Sequence, residues 1–531
     1  MRPPPTLHAV LAVTILPLLT GCGPRTWDPT VHELAAGPPD PSEEVPYLKA
    51  HLASGHLVLF STWEATEDGG RLVGDGVRYD ARRRFVGEGR LTLTADSIAL
   101  LESNRPERVS QLAHGTLIVW TALSAAVTGI CVADPKACFG SCPTFYLEGG
   151  DGQTPVAEGF SSSFARALEA TDLDALGTVS TSGRSVALVM RNEAQETHAV
   201  RTVRLLAVPL EDGGSVSATA AGTLYRTGPP SPAVSCRAAG GSCLERVLSP
   251  DGAEYFSLAD SADLGAKEEV EIVLDPPEGA GELALAIRAR SSLLSTFLFY
   301  HTIATLGSRA GDWLAELERG RPAAVQRSLG LARALGGVEV RVEERDGSWR
   351  LAGTFGEAGP IASDEQLVPL GLAAGPVRIR LRMTRGNWRI DHTALVRLAE
   401  PVLPLVLEPS RVVAVDPATG GLRPSVGESD ASVRAALVDP DRYLVTQRGD
   451  AHRIEFELPG AARGYALFLE SRGYYYEWMR REWRGQEDPA LARLILLDPS
   501  EALRRLAPVY KAREGGMEDA FWSSRFRGGV R

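Results

Sequence analysis

Alternation of apolar and polar positions dominates this chain and predicts a protein built mainly from β-strands. Between residues 46 and 110, short alternating runs are separated by Asp-Gly and Gly-x-Gly turns, which is the pattern of an antiparallel meander. We expect its five or six strands to form a small β-barrel. The runs GVEVRVEERDGSWRLAGTF (337–355) and GPVRIRLRMTRGNWRIDHTALVRL (375–398) each predict a further hairpin.

Two longer apolar runs depart from this alternation and predict helices. The run SSLLSTFLFYHTIATLG (291–307) is apolar on nearly every side, so we expect a buried helix that Ser291 or Ser292 caps and Gly307 ends. The uncharged run GTLIVWTALSAAVTGICVA (115–133) has a marginal length for a membrane span and is diluted by Gly, Ser and Thr. It favours a buried helix, with a membrane span as the alternative.

These patterns predict a multidomain, mainly β protein with helices, of the α+β class. The divisions follow changes of pattern and the linker at Gly336-Gly337. We expect a small N-terminal antiparallel β-barrel, a central disulfide-containing β/α domain and β-sandwich-like C-terminal modules. The predicted boundaries are 1–21 (signal peptide), 22–45 (lipidated tether), 46–110 (barrel), 111–133 (apolar helix), 134–335 (cysteine-containing domain with a helical end), 336–404 (jelly-roll-like module) and 405–531 (C-terminal α+β region).

The first residues indicate an exported protein. Arg2 precedes a short apolar run, which is typical of a signal peptide and too short to span a membrane. The run closes on Leu19-Thr20-Gly21-Cys22, which resembles the bacterial lipobox, in which the chain is cleaved before the cysteine and the cysteine thiol is lipidated. That resemblance implies a lipid anchor on Cys22. An ordinary secretory signal with a chance cysteine is the alternative. Because Gly23 rather than aspartate follows, the resemblance favours the outer membrane.

Composition and charge narrow the class of protein. The chain has 531 residues and a net charge of −11, and it carries neither a basic stripe nor a basic tail of the kind that nucleic-acid binding uses. Nucleotide-binding, nucleophile-elbow, zinc-protease and calcium-loop motifs are all missing. We therefore predict no cofactor, no metal and no nucleic-acid partner.

The cysteines predict a disulfide framework because an exported chain meets an oxidising compartment. Five cysteines follow Cys22, and four of them form close pairs. We favour local bridges, with the crossed connectivity 142–243 and 138–236 as the rival. A zinc site and a thiol–disulfide pair are further alternatives, although Pro143 directs the chain into a strand instead of the helix start that redox pairs favour. The favoured bridges are Cys138–Cys142 and Cys236–Cys243, and Cys131 is left over.

A set of motifs in the central region resembles a pattern found in uncharacterised bacterial envelope lipoproteins. That pattern runs approximately Ser-Cys-Pro-Phe-x-Tyr, then Asp-Gly, then Asn-Glu-x-x-Glu-Thr, and its second strand often ends Val-Asp-His. This chain has Ala-Val-Pro-Leu there, so no role for that Asp-His pair carries over. The resemblance covers about 70 residues and implies no particular activity. Its residues are Cys142-Pro143-x-x-Tyr146, Asp151-Gly152, Glu169-x-Thr171-Asp172 and Asn192-Glu193-x-x-Glu196-Thr197.

A second resemblance concerns residues 337–400. The turn Arg385-Gly386-Asn387 followed by Trp388-x-Ile390-Asp391 resembles the late strands of galactose-binding-like jelly rolls, which bind sugars through loops at one rim. Aromatic and arginine side chains suit sugar stacking and protein contacts. The alternatives are a solvated arginine face and an aromatic strand stacked into its own core. The predicted binding residues are Arg378, Arg380, Arg382, Tyr475, Trp478 and Arg480.

These observations predict a lipoprotein anchored in the outer membrane that acts as a non-enzymatic scaffold or binding protein of the cell envelope. Its partners would be the membrane, through the N-terminal lipid, and an envelope protein or glycan. One alternative is an envelope glycan hydrolase with an unidentified carboxylate pair. Another is a thiol–disulfide protein that uses Cys138 and Cys142. We assign no catalytic residue.

Overall fold

A computed structural model shows a mainly β chain of several modules, as predicted. In the part of the chain that the structure describes, the strands form four hydrogen-bonded sheets, and the fold includes a small closed five-stranded β-barrel. A layer of helices packs beside the sheets. The mainly β, α+β prediction is therefore confirmed. The structure describes residues 25–32, 38–42, 45–52, 56–66, 70–79, 85–108, 142–148, 155–179, 185–194, 196–210, 214–279, 281–318, 320–356, 358–371, 375–416, 430–460, 464–477 and 486–522.

The N-terminal region forms one antiparallel sheet of seven strands around a small apolar core. Its first strand pairs with its last, from Arg25 opposite Arg108 to His32 opposite Leu101. The prediction that 22–45 is only a tether is therefore wrong at 25–32. These residues form a strand through backbone pairing, although their sequence lacks an alternating apolar pattern. The strands are β1 (Arg25–His32), β2 (Leu48–Leu52), β3 (Leu57–Phe60), β4 (Glu64–Ala65), β5 (Arg71–Tyr79), β6 (Phe85–Thr94) and β7 (Ile98–Arg108).

Two five-stranded sheets then form what we call the first sandwich, with a shared apolar core between them. The chain contributes to it twice, before and after a long insertion. A helix, α5 (Asp430–Val438), packs against it. One sheet holds β8 (Thr144–Leu147), β9 (Ala157–Glu158), β11 (Ser185–Arg191), β25 (Arg411–Ala414) and β27 (Ala451–Glu457), and the other holds β10 (Ala170–Val179), β12 (Glu196–Pro209), β24 (Leu405–Leu407), β26 (Leu444–Gln447) and β28 (Tyr465–Glu477).

The insertion between β12 and β24 is itself a β-sandwich, which we call the second sandwich. Its two halves share β15, so they count as one eleven-stranded sheet, and apolar side chains from both halves fill a common core. The strands are β13 (Ser215–Thr219), β14 (Leu224–Thr227), β15 (Ser231–Ala238), β16 (Gly241–Ser242), β17 (Lys267–Leu274), β18 (Leu283–Ser291), β19 (Val338–Glu343), β20 (Trp349–Phe355), β21 (Asp364–Gly371), β22 (Val377–Thr384) and β23 (Trp388–Pro401).

This insertion overturns the predicted boundaries of the central and C-terminal domains. The break at 335/336 falls inside the second sandwich, because β17 pairs with β22 across it. Region 405–531 is not a unit of its own, since β28 pairs with β10 and β12. The run 375–398 is not a hairpin either: β22 and β23 pair with other strands, and the turn between them joins the two halves of the sandwich.

The helices form a layer at the junction of the two sandwiches. The first, α1 (Leu293–Leu306), begins as predicted, with the Ser292 side chain accepting from the Leu294 N–H, and Gly307 ends it at φ 51°. Its apolar side chains pack with those of the C-terminal helices. The others are α2 (Ala310–Glu318), α3 (Pro322–Ser328), α4 (Gly330–Leu335), α6 (Pro489–Leu497) and α7 (Pro499–Trp522).

Several sequence predictions concern residues outside the described ranges. Cys22 and the apolar run 111–133 are among them. No described helix combines the length and apolar character that a membrane crossing requires. One predicted disulfide is observed: Cys236 is bonded to Cys243 in the core of the second sandwich, which excludes the crossed connectivity. Cys138 lies outside the described ranges, so its bridge to the buried Cys142 stays a prediction.

Candidate functional site

A cavity of about 370 Å³ lies where the two sandwiches and the helical layer meet. Small-molecule sites commonly have volumes of roughly 300–1,000 Å³ and apolar walls with a few placed polar groups. The first sandwich supplies Phe164 and Tyr475, and the second supplies Trp388. Most of the remaining wall comes from helices and from the single residue between α3 and α4, through Leu298, Phe299, Trp313, Leu329, Leu331, Leu335, Ile495 and Leu496.

Two polar groups in this wall lack a hydrogen-bond partner among the residues that the structure describes. The Asn387 side chain is only 3% exposed, and its amide oxygen makes no hydrogen bond. The Trp313 indole N–H is likewise buried without an acceptor. Since a buried polar group without a partner costs free energy, most such groups in folded proteins are satisfied. The cavity therefore presents one amide oxygen and one N–H donor that the described part of the fold leaves unused.

A single charged side chain stands among the described residues that line the cavity. It belongs to Arg327, which is exposed and forms no ion pair with a described residue. Neither aspartate nor glutamate occurs in that part of the wall. The described wall therefore lacks the carboxylate pair that glycosidic-bond hydrolysis uses. Its charge favours an anionic group on a ligand.

Tyr475 belongs to the interior and not to an exposed binding strand. It is 2% exposed, its hydroxyl donates to the Ser161 carbonyl oxygen at 2.9 Å, and its ring lines the cavity. The neighbouring Tyr474 is also buried. Strand β28 is the reason, because it lies between β10 and β12 and is covered on both faces. Trp478 and Arg480 lie outside the described ranges.

The predicted arginine stripe lies on the outer face of the second sandwich. Arg378 forms two hydrogen bonds to Glu343, Arg380 pairs with Glu271, and Arg382 pairs with Glu339. Arg380 also lies over the Trp349 ring, at 4.1 Å from its centroid. Glutamates thus neutralise the stripe, and Tyr475 is not on this face. The predicted patch that would combine the stripe with Tyr475 is not formed.

Two of the lipoprotein-like motifs, at residues 142–146 and 192–196, meet in the first sandwich, although they are far apart in the chain. The Glu196 carboxylate accepts from the Cys142 backbone N–H at 2.7 Å and lies 2.6 Å from Nε2 of His198. The Asn192 amide donates to the Glu196 carbonyl oxygen, and the Tyr146 hydroxyl donates to Glu193. Glu196, His198 and Asn192 are buried. These contacts hold the turn at Cys142, whose φ of 109° is unusual for a residue with a side chain.

A further carboxylate connects the two sandwiches. One oxygen of the buried Glu158 accepts from the backbone N–H groups of Ile361 and Ala362, at 2.7 and 2.9 Å. Its other oxygen lies 3.9 Å from the Cys142 sulfur. At Gly359 an added Cβ would lie 2.2 Å from this carboxylate, so the loop needs glycine for this approach. Glu158 therefore fixes one wall of the cavity relative to the other.

A buried charge cluster lies beside the same loop and holds the C-terminal helix. Arg290 forms a bidentate pair with Glu254 and also donates to the Pro360 carbonyl oxygen. Arg389 contacts Glu254 and Glu518, the latter on α7. Burial raises the pKa of Glu518 and lowers the pKa of Arg389, because the charged form of each loses water. The charges balance only while all four side chains are present.

Sequence reasoning did not identify the indole N–H, the guanidinium group and the amide oxygen that this cavity presents. Trp313, Arg327 and Asn387 come from two helices and a turn, and no spacing rule relates such segments. Asn387 was noted only as part of a turn. The one available signal was the apolar character of the helix 291–307 on all sides, which indicated that several layers would pack around it.

Comparisons with known proteins do not place the chain in a family. No protein-family model matches it, and no curated protein matches it. A beta-porphyranase of glycoside hydrolase family 86 from Bacteroides plebeius aligns at 8% identity over 43% of this chain and 37% of its own, with a TM-score of 0.15. A GH31 alpha-xylosidase from Xanthomonas citri aligns at 8% identity over 84% and 38%, with a TM-score of 0.17.

A third solved structure, the secreted serine protease VesC from Vibrio cholerae, aligns at 8% identity over 68% of this chain and 73% of its own, with a TM-score of 0.14. The chain thus spans less than two fifths of the length of the first two structures. Such low scores carry no argument about fold or function, and the site must be interpreted from its own residues.

Proposed function

We propose that this chain is a lipid-anchored binding protein of the bacterial outer membrane that holds a small ligand in its junction cavity without transforming it. The observation that carries the proposal is the cavity itself, with an apolar wall and the two unused polar groups of Asn387 and Trp313. Anchoring rests on the sequence, through Leu19-Thr20-Gly21-Cys22. The motifs at Cys142 and at residues 192–196, which resemble those of envelope lipoproteins, then serve the fold, because they support the turn at Cys142.

The two alternatives receive less support from the geometry. A glycan hydrolase needs two carboxyl groups facing one cleft, and the described cavity wall contains none. A thiol–disulfide protein needs an accessible sulfur, whereas Cys142 is 1% exposed and packs in the core of the first sandwich. We therefore favour binding over both reactions.

The test begins with full-length protein made with its own signal peptide and extracted from membranes in mild detergent. Native mass spectrometry then reports any bound small molecule. Ala332→Trp introduces bulk at an exposed position that lines the cavity, and Ala323→Trp is the matched control on a neighbouring helix outside it. We expect the wild type and the control to carry the molecule and Ala332→Trp to lose most of it. Equal retention in all three proteins, or no bound molecule in any, contradicts a cavity ligand.

The anchor is tested separately with Cys22→Ala. Because the lipid would be attached to that sulfur, the variant should remain an unprocessed or soluble precursor, whereas the wild type should fractionate with the outer membrane. A variant that still runs at mature size in the outer-membrane fraction would show that the Leu-Thr-Gly-Cys sequence does not act as a lipobox.

A further inference from the structure

The polar groups of the cavity differ from those that a simple hydrocarbon ligand would need. A fatty chain would fill the apolar wall but would leave the Asn387 amide and the Trp313 N–H unsatisfied. Burying such groups without partners is unfavourable. The ligand should therefore carry its own hydrogen-bonding groups inside an otherwise apolar body.

A peptide group supplies what these two residues lack. Its N–H can donate to the Asn387 carbonyl oxygen, and its C=O can accept from the Trp313 indole N–H. The match at Asn387 does not depend on which way its amide is turned, because a peptide group offers both a donor and an acceptor. Ring faces and leucines in the wall suit the apolar side chains of such a ligand.

The charge of the wall completes the match. Arg327 is exposed where it lines the cavity, and a guanidinium group binds a carboxylate with two parallel hydrogen bonds. Since the described wall contains no acidic residue, nothing there repels an anion. A free C-terminal carboxylate at the end of a short peptide would meet this side chain.

We infer that the cavity binds a short apolar peptide with a free C-terminal carboxylate, an inference that rests on the proposed binding function. Asn387 and Trp313 would bind the peptide backbone, and Arg327 would select the carboxylate. Affinity would come mainly from apolar side chains in the wall, and the polar groups would set the chemical class.

Three probes with the full-length mature chain test this assignment by isothermal titration calorimetry. They are N-acetyl-leucyl-leucine, the same dipeptide with its C-terminus amidated, and dodecanoate. We expect the acid to bind best and amidation to weaken binding by about fivefold, the upper end for an exposed ion pair. In Arg327→Gln the acid and the amide should bind equally, whereas the exposed control Arg493→Gln should keep the preference.

Asn387→Leu separates a ligand role from a structural one. Leucine has a similar shape and removes the unused amide, so the melting temperature should not fall, while both dipeptides should bind about tenfold more weakly. Dodecanoate binding should not weaken, because the substitution removes a polar group that a hydrocarbon chain leaves unsatisfied. A fall in melting temperature with unchanged dipeptide affinity would assign Asn387 to the fold and overturn the inference.

The remaining outcomes distinguish this inference from the proposed function. Tighter binding of dodecanoate than of either dipeptide would replace the peptide with a single-chain lipid and leave the binding function in place. If none of the probes binds but a molecule from membranes is still lost in Ala332→Trp, only the peptide assignment fails. If no such molecule exists either, both proposals fail.

Discussion

The buried charge cluster allows a sharp test of what holds the C-terminal helix to the second sandwich. Glu254 bonds to Arg290 at 2.5 and 2.7 Å, and the Arg290 side chain is fully buried. Glu254→Gln keeps the shape but removes the negative charge that faces two guanidinium groups. Only Glu518 would then balance Arg290 and Arg389.

The chain provides a matched comparison on its surface. Glu343 also forms two hydrogen bonds to one arginine, Arg378, at 2.9 and 2.8 Å, but that arginine side chain is 48% exposed. Breaking a buried ion pair by removing one partner costs about 3–5 kcal/mol. An exposed pair contributes only about 0.2–1 kcal/mol because water solvates both charges. Equal hydrogen-bond counts should therefore give unequal losses of stability.

The assay is unfolding in urea, followed by circular dichroism, for wild type, Glu254→Gln and Glu343→Gln. We expect a loss of about 3–5 kcal/mol in the first variant and below about 1 kcal/mol in the second. The double substitution Glu254→Leu with Arg290→Met should recover most of the loss, since it leaves no unpaired buried charge. Similar losses in the two single variants, or no recovery in the double one, would refute this account of the cluster.

Three further predictions concern the interior. Tyr475→Phe should lower the free energy of unfolding by about 0.5–1.5 kcal/mol through its lost hydrogen bond, and Tyr475→Ala by about 3–5 kcal/mol. Urea unfolding measures both losses, and unchanged stability would indicate that this side chain is exposed. Burial raises the pKa of Asp364 to about 6 from 3.8, so the folded state holds its proton more tightly and stability falls as pH rises from about 4 to 6. Asp364→Asn should abolish this pH dependence and should be more stable than the wild type at pH 8 by up to about 3 kcal/mol. Melting temperatures that change with pH in the same way in both proteins would contradict this. Replacing both Cys236 and Cys243 by serine should cost about 2 kcal/mol, as expected for a loop that spans seven positions, and an unchanged melting temperature would show that the bridge adds nothing.

Local sequence patterns predicted those helices and strands whose structure depends mainly on neighbouring residues. The alternation at Val377, Ile379 and Leu381 is typical of a strand with one face toward a core, and all three side chains are buried. Ser292 and Gly307 bound α1 because capping needs only neighbouring residues. Cys236 and Cys243 are close enough in sequence for a tight hairpin to join them.

The predicted domain boundaries are wrong because strands that are far apart in the chain pair with each other. The second sandwich interrupts the first between β12 and β24, and the residues on either side of the interruption show no change of pattern. Likewise, the turn at Gly386 looks like a hairpin turn, yet it joins the two halves of a sandwich. Whether this turn closes a hairpin or joins two halves of a sandwich depends on the core that both halves share. That core is assembled from segments that are distant in the sequence.

The same insertion explains why a binding cavity can exist at the junction without being required by the fold. The two sandwiches are held by polar contacts outside the cavity wall, from Glu158 to Ile361 and Ala362 and from Asp364 to the Ala175 N–H. These contacts fix the positions of the walls, so Asn387, Trp313 and Arg327 do not have to pair with one another. Side chains that make no contact needed for folding can instead contact a ligand. A ligand in this cavity would contact both sandwiches and the helices, and binding to the folded state alone would stabilise their association by mass action.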